Sequence, residues 1–191
     1  MDRLALFASG NGSNVQRITE YFSGHPAIHV ELILTNNPEA FVINRARALH
    51  VPIVVFSRDQ FYHSGYIPNL LSERKITHLI LAGFLWMVPS HILNLYRSKI
   101  LNIHPALLPK YGGKGMYGMR VHQAVIASGD AQSGITIHQV NEKYDEGQVV
   151  FQARCEVTRE ETPETLAEKV HQLEYRYYPE VIEKELLGRG A

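Results

Sequence analysis

The sequence lacks most of what marks a secreted, membrane-bound or nucleic-acid-binding protein. It has one cysteine, Cys155, so no internal disulfide can form, and no paired-cysteine spacing suggests zinc. A reducing, cytoplasmic compartment is therefore expected. Nineteen Lys and Arg against nineteen Asp and Glu leave no net charge, which argues against a nucleic-acid or anionic-membrane partner. The apolar run in Met1-Asp2-Arg3-Leu4-Ala5-Leu6-Phe7 is too short for a secretory leader, and no later stretch approaches transmembrane length. Also missing are the Gly-x-Gly-x-x-Gly pattern and the Walker lysine, which disfavours NAD and ATP. No repeat, low-complexity segment or linker divides the chain. One domain over residues 1–191, with small-molecule partners, is the expectation.

What is present is a rhythm. Short apolar runs (Leu4 to Ala8, Val30 to Thr35, Ile53 to Phe56, Leu79 to Ala82, Ile100 to Ile103) alternate with helical spacings. The helical segments carry Val15, Ile18 and Phe22; Val42, Ala46 and Leu49; Ile67, Leu70 and Leu71; and Ile92, Leu95 and Tyr96. Such alternation predicts an α/β fold with a doubly wound, mostly parallel, Rossmann-like sheet of about seven strands and helices on both faces. After residue 104 the rhythm changes. Pro105 to Met119 is rich in proline and glycine and reads as a long loop, followed by a helix over Arg120 to Ala127. Gly134 to Val140 and Val149 to Glu156 read as an antiparallel hairpin. Thr162 caps a last helix running to Leu187, with Leu166, Val170, Leu173 and Tyr177 along its buried stripe, and Pro179 is expected to kink or end it.

Three constellations carry chemical potential. Ser9-Gly10-Asn11-Gly12-Ser13-Asn14 lies between the first strand and first helix, where backbone N–H groups and a helix N-terminus make a phosphate cradle. The same residues also suit a plain turn capped by Asn or Ser. In Leu101-Asn102-Ile103-His104-Pro105 the two-residue period of a strand puts Asn102 and His104 on one face, at the carboxyl edge where open parallel sheets bind ligands. Lys143-Tyr144-Asp145-Glu146-Gly147 is the connection of the hairpin, and its carboxylate, if near His104, would raise the imidazole pKa toward a proton donor. His122 and His138 fall in segments directed toward the same edge. A metal held by His104, His122 and His138 lacks supporting spacing, so no metal is expected.

The joined pattern of Gly10-Asn11-Gly12-Ser13-Asn14, Ala82-Gly83-Phe84 and Leu101 to Tyr111 resembles the folate-dependent formyltransferases over essentially the whole chain. Within that family, the early glycine-rich loop and short length are similar to the branch acting on glycinamide ribonucleotide in purine biosynthesis. The resemblance implies 10-formyltetrahydrofolate as co-substrate, Asn102, His104 and Asp145 as the catalytic trio, and Gly12, Ser13 and Asn14 on the ribose phosphate. It also implies Glu174 on the ribose, with Leu85, Trp86, Met87, Val88, Asn102, Val140, Asn141 and Asp145 around the folate. Asn102 and a protonated His104 would stabilise the oxyanion, and Asp145 would keep His104 charged. An attacking amine supplies its own nucleophile, consistent with the absence of a serine or cysteine motif. The oligomer would be a monomer or homodimer.

Three departures stand out. Trp86 replaces an arginine carried by many relatives, the Gly112 to Met119 segment is longer and richer in glycine, and no arginine comes from near Ser64. Rival readings are another folate-dependent formyltransferase, a formyltetrahydrofolate hydrolase, or a non-catalytic phosphate-binding Rossmann module.

Overall fold

Each apolar run becomes a strand of a single sheet in the computed structural model, which describes residues 1–188. The strands are β1 (Asp2–Phe7), β2 (Ile28–Thr35), β3 (Ile53–Val55), β4 (His78–Leu81), β5 (Ile100–His104), β6 (Gln132–Gln139) and β7 (Val149–Glu156). The first five are parallel, and β6 and β7 run antiparallel to their neighbours. The order β3-β2-β1-β4-β5-β6-β7 means that the chain builds outward from β1, returns, and builds the other way from β4. That reversal leaves a crevice at the carboxyl ends of β1 and β4, where doubly wound sheets bind ligands.

The helices among the described residues are α1 (Ser13–Tyr21), α2 (Val42–Ala48), α3 (Arg58–Tyr62), α4 (Tyr66–Glu73), α5 (Ser90–Leu95), α6 (Met119–Ser128) and α7 (Pro163–Leu187). The two-residue period of β1 sends Leu4 and Leu6 into one core and Ala5 and Phe7 into the other. The first core is filled by Val15 and Ile18 of α1, Val42 of α2, Val125 of α6, and Leu166 and Val170 of α7. The second takes Phe61 of α3, Ile67 and Leu71 of α4, and Ile92 of α5. In β5, Leu101 and Ile103 enter the first core, so Asn102 and His104 point to the opposite face.

Two elements differ from expectation. The segment after β3 holds two helices, because Ser57 and Gln60 form a capping box that starts α3: Gln60 N donates to Ser57 Oγ at 3.2 Å and Ser57 N to Gln60 Oε1 at 2.8 Å. Of the two effects expected of Pro179, a kink or an end, the end does not occur: helix α7 continues through it to Leu187, as far as the sequence suggested. Proline in a helix interior costs about 3 kcal/mol, and here packing outweighs that cost. Tyr178, Pro179, Val181 and Ile182 are all buried, and the Tyr178 hydroxyl, fully buried, lies 2.9 Å from Leu81 O and 3.1 Å from Leu101 O, available to donate to either. The buried stripe is wider than expected: Glu174 and Tyr178 are buried, and Leu173 and Tyr177 are half-buried against the same core.

Candidate active site

A cleft of about 740 Å³ opens at the β1/β4 seam, within the range of small-molecule sites. Its floor is the end of β5. One end is the β1–α1 loop, and the other is the segment after β4 together with the turn between β6 and β7.

At the first end, α1 begins on Gly12 at φ 76°, ψ 22°, with no side-chain cap, so the reading of an Asn or Ser cap does not hold. A Cβ at Gly12 would collide with Val42 of α2, so glycine is required both by the backbone angle and by this close approach. Gly12 therefore packs on α2, while Gly10, Asn11, Ser13 and Asn14 line the cleft. Arg45 of α2 clamps the loop, donating from Nε to Asn11 O (2.9 Å), from Nη2 to Asn11 Oδ1 (2.8 Å), and from Nη1 to the Gln16 side chain. Asn14 Nδ2 donates to Glu174 Oε2 at 2.8 Å. Asn14 Oδ1 and His122 Nδ1 are buried without a partner among the described residues, and both residues line the cleft, so a polar ligand there would satisfy them. Burial pushes the Glu174 carboxyl up to about 7 against the opposing Asn14 hydrogen bond. Burial, helped by neighbouring His171 and His104, pushes His122 down to about 4.

In the middle, Asn102, His104 and Asp145 come together with His138. His104 Nδ1 is 3.5 Å from Asp145 Oδ2, and His104 Nε2 donates to Tyr111 O at 2.8 Å. His138 Nδ1 is 2.9 Å from Gln139 O and must donate there, so in the neutral ring Nε2 accepts; its partner at 3.1 Å is Asn102 Nδ2. That bond orients the Asn102 amide and leaves its second N–H for the cleft. The carboxylate of Asp145 is also 3.6 Å from His138 Nε2 and accepts from Gly113 N at 2.9 Å.

The expectation of a His104 held protonated at rest is corrected. Burial is the largest influence on His104 and lowers its pKa; Asp145 and the Tyr111 carbonyl raise it, His138 lowers it, and the net direction is down from 6.5. For Asp145, burial alone raises the pKa. The neighbouring His138 and His104 rings and the Gly113 amide together outweigh burial and hold it below the ordinary value.

The glycine-rich segment is tied to this centre. Gly113 bonds Asp145, and a Cβ at Gly112 would collide with Leu108 and sit 3.2 Å from Asp145 Cβ. At the far end, Leu85, Trp86, Met87 and Val88 line the cleft together with Val140, Asn141 and Tyr144. The Ser9 hydroxyl accepts from Leu85 N at 3.0 Å and donates to Asn36 Oδ1 at 2.7 Å, joining the two ends of the cleft. Tyr62 donates to Met87 O at 3.0 Å.

Sequence reasoning missed the Tyr111 carbonyl, the Arg45 clamp and His171. Only His171 carried a signal, three residues before Glu174 on one helix face. No group of three His, Cys, Asp or Glu suited to a metal occurs among the described residues.

An open, doubly wound α/β sheet with an uncapped helix N-terminus and a polar Asn–His–Asp centre along one switch-point cleft defines the class: a Rossmann-like, ligand-binding domain. The pattern of the formyl transferase family matches residues 2–182, and the chain belongs to that family. Among curated relatives, it is 34% identical to the phosphoribosylglycinamide formyltransferase of Bacillus subtilis over 98% of this chain and 96% of the relative. It is 40% identical to the chloroplastic phosphoribosylglycinamide formyltransferase of Arabidopsis thaliana over 94% of this chain and 64% of the relative. The chain thus spans less than two thirds of that plant relative. The crystal structure of phosphoribosylglycinamide formyltransferase from Streptococcus pneumoniae superposes with a TM-score of 0.84 at 35% identity, covering 96% of this chain and 98% of that one.

Proposed function

We propose that this protein transfers the formyl group of 10-formyltetrahydrofolate to the amine of glycinamide ribonucleotide. The observation that carries the reading is the single cleft joining a helix N-terminus suited to a phosphate monoester to an apolar end suited to a pterin, with the Asn102–His104–Asp145 centre between them. Similarity to relatives named for this activity supports it.

In this reading Gly10, Ser13 and Asn14 face the phosphate, and Gly12 shapes the turn. Glu174, near its midpoint at neutral pH, faces the ribose hydroxyls with Asn14 and His122. Leu85 to Val88 and Val140 to Asp145 flank the folate. Holding both substrates converts a two-body encounter into an intramolecular one. The substrate's α-amino group titrates near pH ~8, so part of it is already nucleophilic.

Asn102 donates its free N–H to the formyl oxygen as negative charge gathers there. His104 is neutral at rest, with Nε2–H committed to Tyr111 and Nδ1 facing Asp145. It takes the proton released by the attacking nitrogen, is stabilised as imidazolium by Asp145, and returns the proton to the departing folate nitrogen. His138 keeps the Asn102 amide aligned.

Purified protein given both substrates should release tetrahydrofolate only when the ribonucleotide is present. Equal release without it would indicate hydrolysis, and no release under either condition would return the protein to a binding module.

A further inference from the structure

Tyr111 holds the imidazole of His104 by one end and a distant carboxylate by the other. Its carbonyl accepts from His104 Nε2 at 2.8 Å, while its hydroxyl lies 2.7 Å from Asp130 Oδ2 and 2.5 Å from Ser128 Oγ. Lys110 Nζ reaches the same Asp130 oxygen at 2.8 Å, and the hydrogen bonds from Lys110 and Tyr111 hold the Asp130 carboxyl below its ordinary value, so it is ionised at neutral pH. An ionised carboxylate can only accept, so the phenol proton goes to Asp130, and the Ser128 hydroxyl is left to donate to Tyr111 or to Val125 O at 2.7 Å.

Tyr111 needs such an anchor. It stands at φ 56°, in the left-handed region, which is disfavoured for a residue with a Cβ and persists only where the surroundings enforce it. The two residues that follow it, Gly112 and Gly113, have no side chains with which to hold the loop. The end of α6 supplies the hold: Ser128 is its last residue, Gly129 closes it at φ 70°, and Asp130 follows, its backbone N donating to Ser128 Oγ at 3.3 Å. Lys110, Tyr111 and Asp130 border a separate cavity of about 330 Å³ and not the cleft, so this anchor reaches the reacting atoms through the Tyr111 carbonyl and His104. Two acceptors compete for the one proton of the neutral His104 ring. The Asp145 carboxylate, 3.5 Å from Nδ1, favours the tautomer protonated there, and the Tyr111 carbonyl, closer at 2.8 Å, favours the one protonated at Nε2.

We propose that Asp130 is a positioning residue for the transfer: by holding the Tyr111 hydroxyl it fixes the Tyr111 carbonyl on His104 Nε2–H and keeps Nδ1 free as the proton acceptor. This rests on the reading of His104 as the group that carries the proton between the two substrates. Released from the carbonyl, the ring places its proton on Nδ1, and its basic nitrogen no longer faces the reacting centre.

The test follows ribonucleotide-dependent release of tetrahydrofolate by native protein, Asp130→Ala, Asp130→Asn, Tyr111→Phe and the double variant Tyr111→Phe/Asp130→Ala, after urea unfolding has shown each to be folded under assay conditions. Asp130→Ala and Tyr111→Phe should each lower kcat about tenfold, a part of the 10²–10⁴-fold that a positioned proton-transfer group supplies, with both KM values within about twofold of native. The double variant should fall no further than either single one, because both changes cut the same link. Asp130→Asn keeps an oxygen to accept from the phenol and should recover kcat to within about threefold of native. The Tyr111 carbonyl raises the His104 pKa, so its release should move the low-pH fall of kcat to still lower pH, with Asp145, His138 and His122 around the ring unchanged. Native kcat in Asp130→Ala, or a low-pH fall that does not move down, would reduce the anchor to a structural contact, and additive losses in the double variant would break its link to Tyr111; each overturns the proposal. Native protein without ribonucleotide-dependent turnover would instead overturn the functional reading beneath it.

Discussion

Glu174 and His122, which line the same cleft, titrate in opposite senses. The Glu174 carboxyl is pushed up from 4.5 to about 7, so its favourable contribution is full below pH 4.5 and is lost as pH rises to about 7. His122 is pushed down from 6.5 to about 4, so its contribution is full above pH 6.5 and is lost as pH falls toward 4. The two trends oppose each other between them, and only single substitutions separate them. Glu174→Gln should remove part of the loss of stability on going from about pH 5 to 8, amounting to as much as ~3 kcal/mol, read from urea unfolding of native and variant protein at both pH values. His104 gives a kinetic counterpart. Because burial leaves the ring neutral at rest, kcat should fall as pH drops through a His104 pKa below 6.5 and show no descending limb between about pH 6.5 and 8. A descending limb there would restore the protonated resting state that the sequence suggested. That suggestion came from Asp145 alone, whose influence has the expected direction. What the sequence could not display was the depth at which His104 is buried, or the His138 ring beside it.

Among the elements, β5 and α7 set the site. The period of two along β5 made the pairing of Asn102 with His104 legible in the amino-acid order alone, and the alternation of apolar runs made the sheet legible too, because both follow from local geometry. The partners of those residues were not legible. Tyr111 reaches His104 through a backbone carbonyl, which no side chain announces, and Arg45 reaches Asn11 across 34 residues from an exposed helix face. Arg45→Ala should therefore raise the KM for the ribonucleotide about tenfold while leaving kcat nearly unchanged, since the clamp acts on the loop and not on the reacting atoms. Pro179 does not end α7 for a related reason: the helix is held by tertiary burial, and local propensity does not decide it. Tyr178 contributes to that hold. Tyr178→Phe removes a buried hydroxyl placed near two strand carbonyls, one of them on the residue before Asn102, and should cost about 1–3 kcal/mol, seen as a lower urea midpoint with unchanged slope.

At the scale of the whole molecule, the strand order brings together loops distant in sequence at one seam. The loop after β1 supplies a helix N-terminus, the segment after β4 an apolar wall, the end of β5 the Asn and His, and the β6–β7 turn the carboxylate. Ser9 and Asn14 then tie these parts to one another, Ser9 to Leu85 and Asn14 to Glu174. In the proposed function this cleft would order two substrates around one polar centre, and the centre is the part on which the account stands. The most direct test compares native protein with His104→Ala in ribonucleotide-dependent release of tetrahydrofolate, after checking that the variant unfolds at the same urea midpoint and binds folate as tightly. The predicted result is a loss of kcat of about 10²–10⁴-fold, the size of one positioned proton-transfer group. Turnover equal to that of the native protein would contradict it.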